Sequence, residues 1–354
     1  MKVRNLYMAK GLPVFQNKMF SSKEKGIACP QGDIILVQNL ETGFIYNQNF
    51  DASLLEYDAD YQNEQAYSDV FQVHLTDVLS IIQRYFFGMS IVEVGCGKGC
   101  FLERLRHLGY DVTGIDPAYE GDNPNVIKAK FESRLGLHAE AVVLRHVLEH
   151  MADPTTFLHG IAEANNGEGK IYIEVPCFDW ICQHRAWFDI FYEHVNYFRL
   201  SDFNRMFGTV FESGHVFGGQ YLYVIADLAT IQKSILEQES AFSFPIDFLP
   251  KFETVFSLVN KKNKAIWGGA SKGVIFALYL QRAGIDVTCV IDINPAKQNK
   301  FIAGSGLKVV SPEEGMRQLK PGDDILVMNS NYLLEIKLIS SQLYNYISVD
   351  QYVF

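Results

Sequence analysis

The sequence predicts an α/β protein whose central domain is a doubly wound, Rossmann-like sheet. A small N-terminal domain and a C-terminal α/β Rossmann-like subdomain flank it. Three observations predict this fold. An apolar run at residues 91–94 ends in a glycine-rich turn, and a helical pattern follows at once. Further short apolar runs recur up to residue 176, as buried parallel strands do. A second strand, glycine loop and helix begin near residue 265.

Length, composition and charge limit the classes of function. The chain has 354 residues, of which 48% are hydrophobic, and a net charge of −10. This length predicts two domains with a small additional one. The acidic balance argues against bulk binding of nucleic acid or of an anionic membrane. No apolar run approaches the ~18 residues of a membrane span. The first residues lack the apolar stretch of a signal peptide, so we expect a cytoplasmic protein.

The cysteines are scattered and form no C-x-x-C pair. The six stand at positions 29, 96, 100, 177, 182 and 289. This spacing argues against a structural zinc site and against a disulfide framework. We expect most of them to be small buried apolar residues, and we expect no metal site.

Residues 1–75 are predicted to form the N-terminal domain, with short strands such as residues 33–37. Residues 57–65 are too aromatic and polar for an ordinary core element. Two interpretations stand: a solvated connector, or a lid over a ligand pocket, because tyrosine offers an apolar body with a polar tip. The apolar spacing from Ser68 to Phe87 predicts an amphipathic helix that packs on the sheet.

The glycine turn has the pattern E-x-G-x-G-x-G, from Glu93 to Gly99. A dinucleotide fingerprint needs G-x-G-x-x-G, and the sixth position from Gly95 is Cys100. Glycines let the chain turn sharply and let a ligand approach the backbone. The next strand ends at Asp116, about 20 residues on, where a doubly wound fold places the acid that binds ribose hydroxyls. The turn therefore predicts a ligand that carries a ribose.

Three further strands are predicted, at residues 126–129, 141–144 and 170–176. In open α/β sheets, ligands lie beyond the carboxyl ends of the strands. His146, Glu149 and His150 follow the second of these strands and are therefore expected near the ligand. For Glu149 and His150 we favour a structural role, in which they cap or brace the following helix.

The segment after the last of these strands concentrates aromatic and ionisable side chains. Tyr192, Glu193, His194 and Tyr197 lie within six positions. A histidine among aromatic residues can have its pKa moved toward the working pH and act as a general base. The alternative is an ordinary core histidine. The three polar neighbours favour the functional interpretation of His194.

Residues 213–226 alternate like a hairpin that closes the sheet edge. Residues 227–262 look helical, with breaks near Pro245 and Pro250, and are predicted as the linker to the second α/β unit. A further strand is predicted at residues 323–329.

The second α/β unit begins at residues 265–273 and continues with a helix to Ala283 and a strand that ends at Asp292. Its start resembles a Rossmann unit with Ala270 at the middle glycine and Asp292 near the ribose-binding position. NAD binding is one interpretation, and a structural or substrate-binding unit is the other. We favour the second, because about 90 residues are too few for the six strands of a complete dinucleotide domain.

The glycine turn with Asp116 resembles motif I of the class I S-adenosylmethionine-dependent methyltransferases. Most of the chain is similar to one such family, the sugar C-methyltransferases of deoxysugar biosynthesis, which act on nucleotide-linked keto-sugars. The similar segments are LPVFQN at 12–17, EVGCGKG at 93–99, LRHVLEH at 144–150, IEVP at 173–176, YEHVNYF at 192–198, GGQ at 218–220 and WGGASKG at 267–273. The 192–198 segment is the most specific of them.

The chain departs from this family at two places. The family's N-terminal region usually carries four zinc-binding cysteines, whereas this chain has only Cys29 there. It therefore resembles a zinc-less variant, which leaves its acceptor open. Residues 329–336 also follow the family's Trp-Asn-x-x-x-Glu-Ile ending only loosely.

The resemblance implies S-adenosylmethionine as the cofactor, bound by a domain at 76–230, and a substrate-binding domain at 231–354. Glu93 and the glycines would shape the methionine end, Asp116 would bind the ribose, and Phe131 would lie near the adenine. The full implied cofactor set is Tyr57, Tyr61, Ser68, Glu93, Gly95, Cys96, Gly97, Gly99, Asp116, Pro117, Phe131, Arg145 and His146. The implied substrate contacts are Trp187, Tyr197, Lys272 and Asn329.

C-methylation requires a base that removes a proton beside a carbonyl, and a donor for the enolate oxygen. We predict His194 as the base, Tyr192 as the enolate donor or a proton relay, and Glu193 as the group that orients them. The acceptor would be a small, nucleotide-linked keto-sugar. If the acceptor atom is oxygen or nitrogen, the same histidine would deprotonate it, so an O- or N-methyltransferase stays open. A further alternative is an NAD-dependent oxidoreductase that uses the Gly268 loop.

Overall fold

The computed structural model describes residues 2–55, 62, 64–236, 242–249 and 263–351. Its strands are β1 (Val3–Pro13), β2 (Gln31–Asn39), β3 (Ile45–Asn47), β4 (Ile91–Val94), β5 (Val112–Ile115), β6 (Val126–Ile127), β7 (Ala141–Arg145), β8 (Lys170–Pro176), β9 (Asn196–Tyr197), β10 (Val210–Val216), β11 (Tyr221–Asp227), β12 (Lys264–Trp267), β13 (Cys289–Ile291), β14 (Val309–Val310), β15 (Asp324–Val327) and β16 (Asn345–Ser348). Its α-helices are α1 (Lys23–Ile27), α2 (Asp69–Phe86), α3 (Cys100–His107), α4 (Pro154–Ala164), α5 (Phe178–Gln183), α6 (Leu200–Met206), α7 (Ser271–Arg282), α8 (Pro312–Gln318) and α9 (Leu333–Ile339). None of these helices is both long and apolar enough to cross a membrane.

The central sheet has the strand order β6-β5-β4-β7-β8-β11-β10. The strands from β6 to β8 pair in parallel, and β11 runs antiparallel between β8 and β10. All four residues of β4 are buried, as expected for a parallel strand covered on both faces. The predicted α/β fold with a doubly wound central sheet is confirmed, and so is the hairpin at its edge.

Helix α2 packs on this sheet just before its first strand. Ser68 caps the helix by accepting a hydrogen bond from the Phe71 N–H group, and the buried face repeats at helical spacing through Leu75, Val78 and Ile82. The Ser68 hydroxyl and the Asp69 N–H group both donate to the carboxylate of Glu335 in α9, at 2.6 and 2.9 Å. This helix end therefore ties the central sheet to the C-terminal unit.

The N-terminal sheet has the order β1-β2-β3-β9 and is antiparallel throughout. Its last strand, β9, comes from far along the chain and begins two residues after His194. The Asn47 N–H group donates to the Val195 carbonyl at 2.8 Å, and the Gln16 N–H group donates to the Glu193 carboxylate at 3.0 Å. The N-terminal sheet thus fixes the position of the segment that carries His194.

The C-terminal sheet has five parallel strands in the order β14-β13-β12-β15-β16. Numbered within the unit this order is 3-2-1-4-5, which is that of a doubly wound nucleotide-binding sheet without its sixth strand. The side chains of β12 and β15 are buried. The C-terminal unit is therefore Rossmann-like, as predicted, although it is shorter than a complete dinucleotide domain.

The helical prediction for residues 227–262 is wrong where the structure describes them. Leu228–Thr230 form one short 3-10 turn, and residues 242–249 have no helix. Two of the described aromatic side chains of this stretch are buried: Phe242 packs against Phe178, and Phe248 packs against Tyr7. Apolar residues that cover a neighbouring surface can recur at helical spacing without forming a helix. The domain boundaries at residues 75 and 230 stay predictions.

Candidate active site

In both the central and the C-terminal sheet, the carboxyl ends of the parallel strands face one cavity of about 520 Å³. From the central sheet, the loops after β4, β5, β7 and β8 reach it. From the C-terminal sheet, the loops after β12, β13 and β15 reach it. In open α/β sheets, this end of the strands is where ligands bind. Gly95 and Asn329 therefore line the same space, although more than 200 positions separate them in the sequence.

The glycine turn after β4 has the backbone that its sequence predicts. Gly95 has φ +76°, and a Cβ atom there would lie 2.3 Å from Val147 Cγ2, so only glycine fits. The Gly97 N–H group donates to Asp116 Oδ2 at 2.9 Å, and the Ala118 N–H group donates to Oδ1 at 2.8 Å. Asp116 therefore braces the turn, and burial raises its pKa. Gly99, at φ +79°, precedes α3.

Glu93 lies at the floor of this turn and is 2% exposed. Burial raises its pKa to about 8, with Arg145 lowering it and Asp116 raising it further. Its Oε2 atom has no hydrogen-bond partner among the described residues. With a pKa of about 8, Glu93 is largely protonated at neutral pH.

Glu174 in β8 is the centre of a buried ionic network behind the cavity. Its carboxylate lies 2.9 Å from His74 Nε2, 3.3 Å from Arg145 Nε and 3.2 Å from His146 Nε2. The Tyr172 hydroxyl donates to it at 2.7 Å. Burial alone would raise the pKa of Glu174, but Arg145, His146 and His74 hold it well below its usual range.

His146 joins this network to the cavity wall. Its φ of +55° is unusual for a residue with a side chain, and its Nδ1 atom lies 3.4 Å from Glu149 Oε1. Burial would lower its pKa, but the carboxylates of Glu149 and Glu174 beside its two ring nitrogens outweigh burial and raise the pKa to about 9. His146 is therefore an imidazolium at neutral pH.

His194, His150 and Glu149 lie together on the cavity wall. The rings of His150 and His194 meet edge to face with centroids 5.0 Å apart, and Phe191 packs on the other side of His194 at 4.0 Å. Burial lowers the pKa of His194 well below its usual value, and His150, His146 and Lys272 lower it further. The His194 ring is therefore neutral at neutral pH.

Glu149 and His150 are cavity residues, contrary to our preference for a structural role. Glu149 is 1% exposed, and neither of its carboxylate oxygens has a hydrogen bond to a described residue. The sequence could not reveal this, because the positions also suit the start of α4. Pro154 and Asp153 supply that cap instead: Asp153 accepts from the Thr156 N–H group at 2.9 Å.

Tyr192 and Glu193 are not among the residues that line the cavity. The Tyr192 hydroxyl accepts from the Asp51 N–H group at 2.9 Å. Glu193 accepts hydrogen bonds from Gln16 N–H and Asn17 Nδ2, at 3.0 and 3.2 Å. Neither side chain lies on the cavity as its predicted role requires: Tyr192 contacts Asp51, and Glu193 anchors the loop beside His194 to the N-terminal domain.

The remaining predicted residues divide into two groups. Those on the cavity are Ser68, Glu93, Gly95, Cys96, Gly97, Asp116, Pro117, Arg145, His146, Lys272 and Asn329. Those not among its lining residues are Gly99, Phe131, Trp187 and Tyr197. Phe131 packs against Phe157, Trp187 packs in the core against Phe276, and the Tyr197 hydroxyl bonds to the backbone of Phe191. Tyr57 and Tyr61 lie outside the described residues.

Lys272 brings the second glycine loop to the cavity. Its Nζ atom lies 3.0 Å from Asp189 Oδ2 and 3.0 Å from Gln220 Oε1, and it stands over the Trp180 ring. Gln220 also pairs with Asn329, with its Nε2 atom donating at 2.7 Å. These contacts join the C-terminal unit to the central sheet across the cavity.

Sequence reasoning missed Tyr221, Asp189 and Glu335, which also line the cavity. Tyr221 is an ordinary alternating position of a hairpin, so no local signal marks it. Asp189 becomes notable only through its ion pair with Lys272, and Glu335 only through its contact with α2. All three depend on chain crossings that a single sequence does not reveal.

Comparison with known proteins agrees with this geometry. Residues 70–210 match a family model described as a methyltransferase domain. The C-methyltransferase NovU of Streptomyces niveus is 24% identical over 295 residues, which cover 70% of this chain and 68% of NovU. The ubiquinone biosynthesis O-methyltransferase of Salmonella paratyphi A is 27% identical over 101 residues, which cover 24% of this chain and only 42% of that enzyme.

Two solved structures are similar over part of the chain. A SAM dependent methyltransferase from Archaeoglobus fulgidus has 18% identity and a TM-score of 0.36, over 45% of this chain and 100% of the other. The 1,6-didemethyltoxoflavin-N1-methyltransferase of Burkholderia thailandensis, solved with S-adenosylhomocysteine, has 15% identity and a TM-score of 0.34, over 45% of this chain and 80% of the other.

The domain match, the glycine turn and the doubly wound sheet agree with one another. The chain therefore carries an S-adenosylmethionine-dependent methyltransferase domain, matched at residues 70–210, on a doubly wound sheet.

Proposed function

We propose that this enzyme methylates a carbon atom of a nucleotide-linked keto-sugar, with His194 as the general base. The observation that carries the proposal is the position of His194 on the cavity into which the glycine turn opens. The similarity to the C-methyltransferase NovU supports the class of reaction and acceptor.

The donor side of the cavity is the glycine turn and Asp116. In this proposal, S-adenosylmethionine lies along the turn from Gly95 to Gly99, with its ribose hydroxyls on Asp116 and its methionine end near Glu93. The backbone N–H groups of the first turn of α3 lie at the same place. Glu93, which is largely protonated at neutral pH, would ionise more readily once the positively charged sulfonium and amino groups are bound.

The acceptor side is the wall formed by Glu149, His150 and His194. His194 would remove the proton beside the acceptor carbonyl, and the enolate carbon would then attack the methyl group in line with the departing sulfur. The neutral ring of His194 has a lone pair available for this step. The enolate oxygen needs a donor other than Tyr192, and Tyr221 and Lys272 supply O–H and N–H groups on the cavity.

The decisive test follows proton exchange at the acceptor carbon. The enzyme is incubated in D₂O with S-adenosylhomocysteine and a nucleotide-linked keto-sugar, and deuterium uptake beside the carbonyl is followed by NMR. We expect uptake with the natural enzyme and none with His194→Ala. In the full reaction, His194→Ala should lose about 10²–10⁴-fold in turnover, the usual contribution of a general base, and keep its affinity for S-adenosylmethionine.

His159→Ala is the matched control, because His159 is exposed on α4; it should exchange and methylate like the natural enzyme. Deuterium uptake at the natural rate in His194→Ala would refute His194 as the base. Methyl transfer to oxygen or nitrogen without any carbon exchange would instead support the O- or N-methyltransferase alternative.

The strand order of the C-terminal sheet favours one further candidate, binding of NAD at the Gly268 loop. The carboxylate of Asp292 differs from that of Asp116, however, by an ion pair with Lys297. It accepts from the N–H groups of Gly269 and Asn294 at 2.8 and 2.9 Å, and Lys297 Nζ lies 3.1 Å away. We therefore rank this candidate second. Calorimetric titration with NAD and NADH tests it, and micromolar binding of either would support it.

A further inference from the structure

Three side chains that can ligate a metal converge on one wall of the cavity. Glu149, His150 and His194 each offer one ligand atom, and these atoms lie within 4.8 Å of one another. Two imidazole nitrogens with one carboxylate oxygen form a donor set that divalent transition metals bind while keeping open positions. Glu149 and His150 are adjacent, whereas His194 lies 44 positions after His150, so the spacing does not resemble a metal motif.

Of the three ligands, Glu149 is the one whose buried carboxylate lacks hydrogen bonds among the described residues. It is 1% exposed, and neither oxygen has a hydrogen bond in the described part of the chain. Its nearest charged neighbour is His146, whose Nδ1 atom lies 3.4 Å from Oε1. A buried carboxylate without hydrogen bonds is costly. A cation on its free oxygen would remove that cost without displacing His146.

His150 is held in the tautomer that a ligand needs. Its Nδ1 atom lies 2.7 Å from the Glu193 carbonyl oxygen. A carbonyl oxygen only accepts, so Nδ1 carries the hydrogen and Nε2 keeps its lone pair. A second hydrogen bond of this kind is characteristic of metal-ligating histidines. Glu193 is itself anchored by Gln16 and Asn17, so the orientation of His150 is fixed from outside the site.

His194 is the third ligand and lies in the loop before β9, whereas Glu149 and His150 lie after β7. His194 is 8% exposed, and its ring packs between Phe191 and His150. Zinc–nitrogen distances are about 2.0–2.1 Å, so the three ligand atoms would have to approach one another by about 1 Å. Small rotations of the side chains supply such a movement, because all three stand at the edge of a cavity.

We propose that Glu149, His150 and His194 together bind one divalent transition-metal ion, such as Zn²⁺ or Co²⁺, and that the bound ion blocks methyl transfer. The binding is independent of the proposed function. The block rests on it, because a nitrogen that ligates a metal cannot accept the acceptor's proton. The metal-free enzyme would then catalyse methyl transfer, and the metal-bound enzyme would not.

The test uses the full chain and Co²⁺, whose visible spectrum reports its ligands. We expect saturable binding of one Co²⁺ without a thiolate charge-transfer band, which excludes ligation by cysteines such as the exposed Cys100. Glu149→Gln, His150→Gln and His194→Gln should each weaken binding at least tenfold, and His159→Ala should not. Affinity for S-adenosylhomocysteine, measured in each variant, shows that it is folded.

Two results would overturn the site: no saturable Co²⁺ binding by the natural protein, or binding that none of the three ligand variants weakens. The block is tested separately, by deuterium uptake into the acceptor with and without Zn²⁺. We expect Zn²⁺ to abolish uptake and a chelator to restore it. Binding with undiminished uptake would overturn the block and the role of His194 as base, yet leave the metal site standing.

Discussion

At the scale of single residues, Glu93 shows how burial couples the site to pH. Its carboxyl group has a pKa of about 8 in the folded protein, against an ordinary value of 4.5. Between these two values the folded state holds a proton that the unfolded chain releases. A state that binds more protons becomes relatively less stable as the pH rises. The contribution of Glu93 therefore destabilises the fold progressively from about pH 4.5 to pH 8.

We predict that Glu93→Gln removes this pH dependence. Because glutamine does not ionise, the free energy of unfolding of the variant relative to the natural protein should increase between pH 5 and pH 8.5. The increase is on the order of 4 kcal/mol at most. Urea unfolding of the ligand-free proteins across this range measures it. If the difference in the free energy of unfolding between the two proteins stays constant with pH, the pKa of Glu93 is not raised in the folded protein.

Individual residues were predictable from the sequence where one short segment defines their position. Glu93 lies in the strand β4, Gly95 and Asp116 directly follow strands whose ends the sequence marks, and all three reach the cavity. Tyr192 was not predictable, although it is two positions from His194. The loop that carries both is pulled into the N-terminal sheet, which turns Tyr192 toward Asp51. The direction of its side chain depends on a contact more than 140 positions away.

At the scale of elements, the turn between β4 and α3 is set by steric demand. Gly95 combines a left-handed backbone with a side-chain position that Val147 Cγ2 already occupies. Gly109, in the next loop, has φ +89° but nothing within 4 Å of its absent side chain. A side chain at Gly109 would therefore meet only backbone strain, whereas a side chain at Gly95 would meet backbone strain and a collision with Val147.

We predict that Gly95→Ala costs more stability than Gly109→Ala. Gly109→Ala should cost about 1–2 kcal/mol from the left-handed backbone alone. Gly95→Ala adds a collision with Val147, should cost about 1–3 kcal/mol more, and should weaken binding of S-adenosylmethionine. Urea unfolding and calorimetry measure both. Equal costs for the two variants would show that Val147 yields freely and that the collision is not what selects glycine.

Short elements were the least predictable from the sequence. β9 has only two residues and joins a sheet whose other strands lie at the start of the chain, so no local pattern indicates it. The wrong helix at residues 227–262 has the opposite cause. Its apolar residues are spaced suitably for a helix, but Phe242 instead packs on Phe178 of α5, and Phe248 packs on Tyr7 of β1.

At the scale of the whole molecule, two glycine loops with matching aspartates face one cavity. Asp116 braces the loop of the central sheet through the Gly97 N–H group, and Asp292 braces the loop of the C-terminal sheet through the Gly269 N–H group. Only Asp292 has a lysine on its carboxylate, Lys297 at 3.1 Å. Asp116 lacks such an ion pair among the described residues, which leaves its charge for a ligand.

We predict that Asp116→Asn and Asp292→Asn separate the two loops. Asp116→Asn should weaken binding of S-adenosylmethionine about tenfold to a hundredfold, the value of hydrogen bonds to a charged group. Asp292→Asn should leave that affinity within about twofold, because its loop belongs to the other sheet. Calorimetric titration of each variant measures this. Weaker binding in Asp292→Asn with unchanged binding in Asp116→Asn would indicate that the cofactor binds at the C-terminal loop.

The meeting of two sheets at one cavity has a consequence for how specificity can change. Under the proposed function, the methyl donor contacts residues of the central sheet, whereas the acceptor also meets Lys272 and Asn329 of the C-terminal unit. Mutations in that unit can therefore alter which molecule is methylated while the affinity for the methyl donor is inherited unchanged. Such a protein can diversify its substrates by exchanging its C-terminal unit alone.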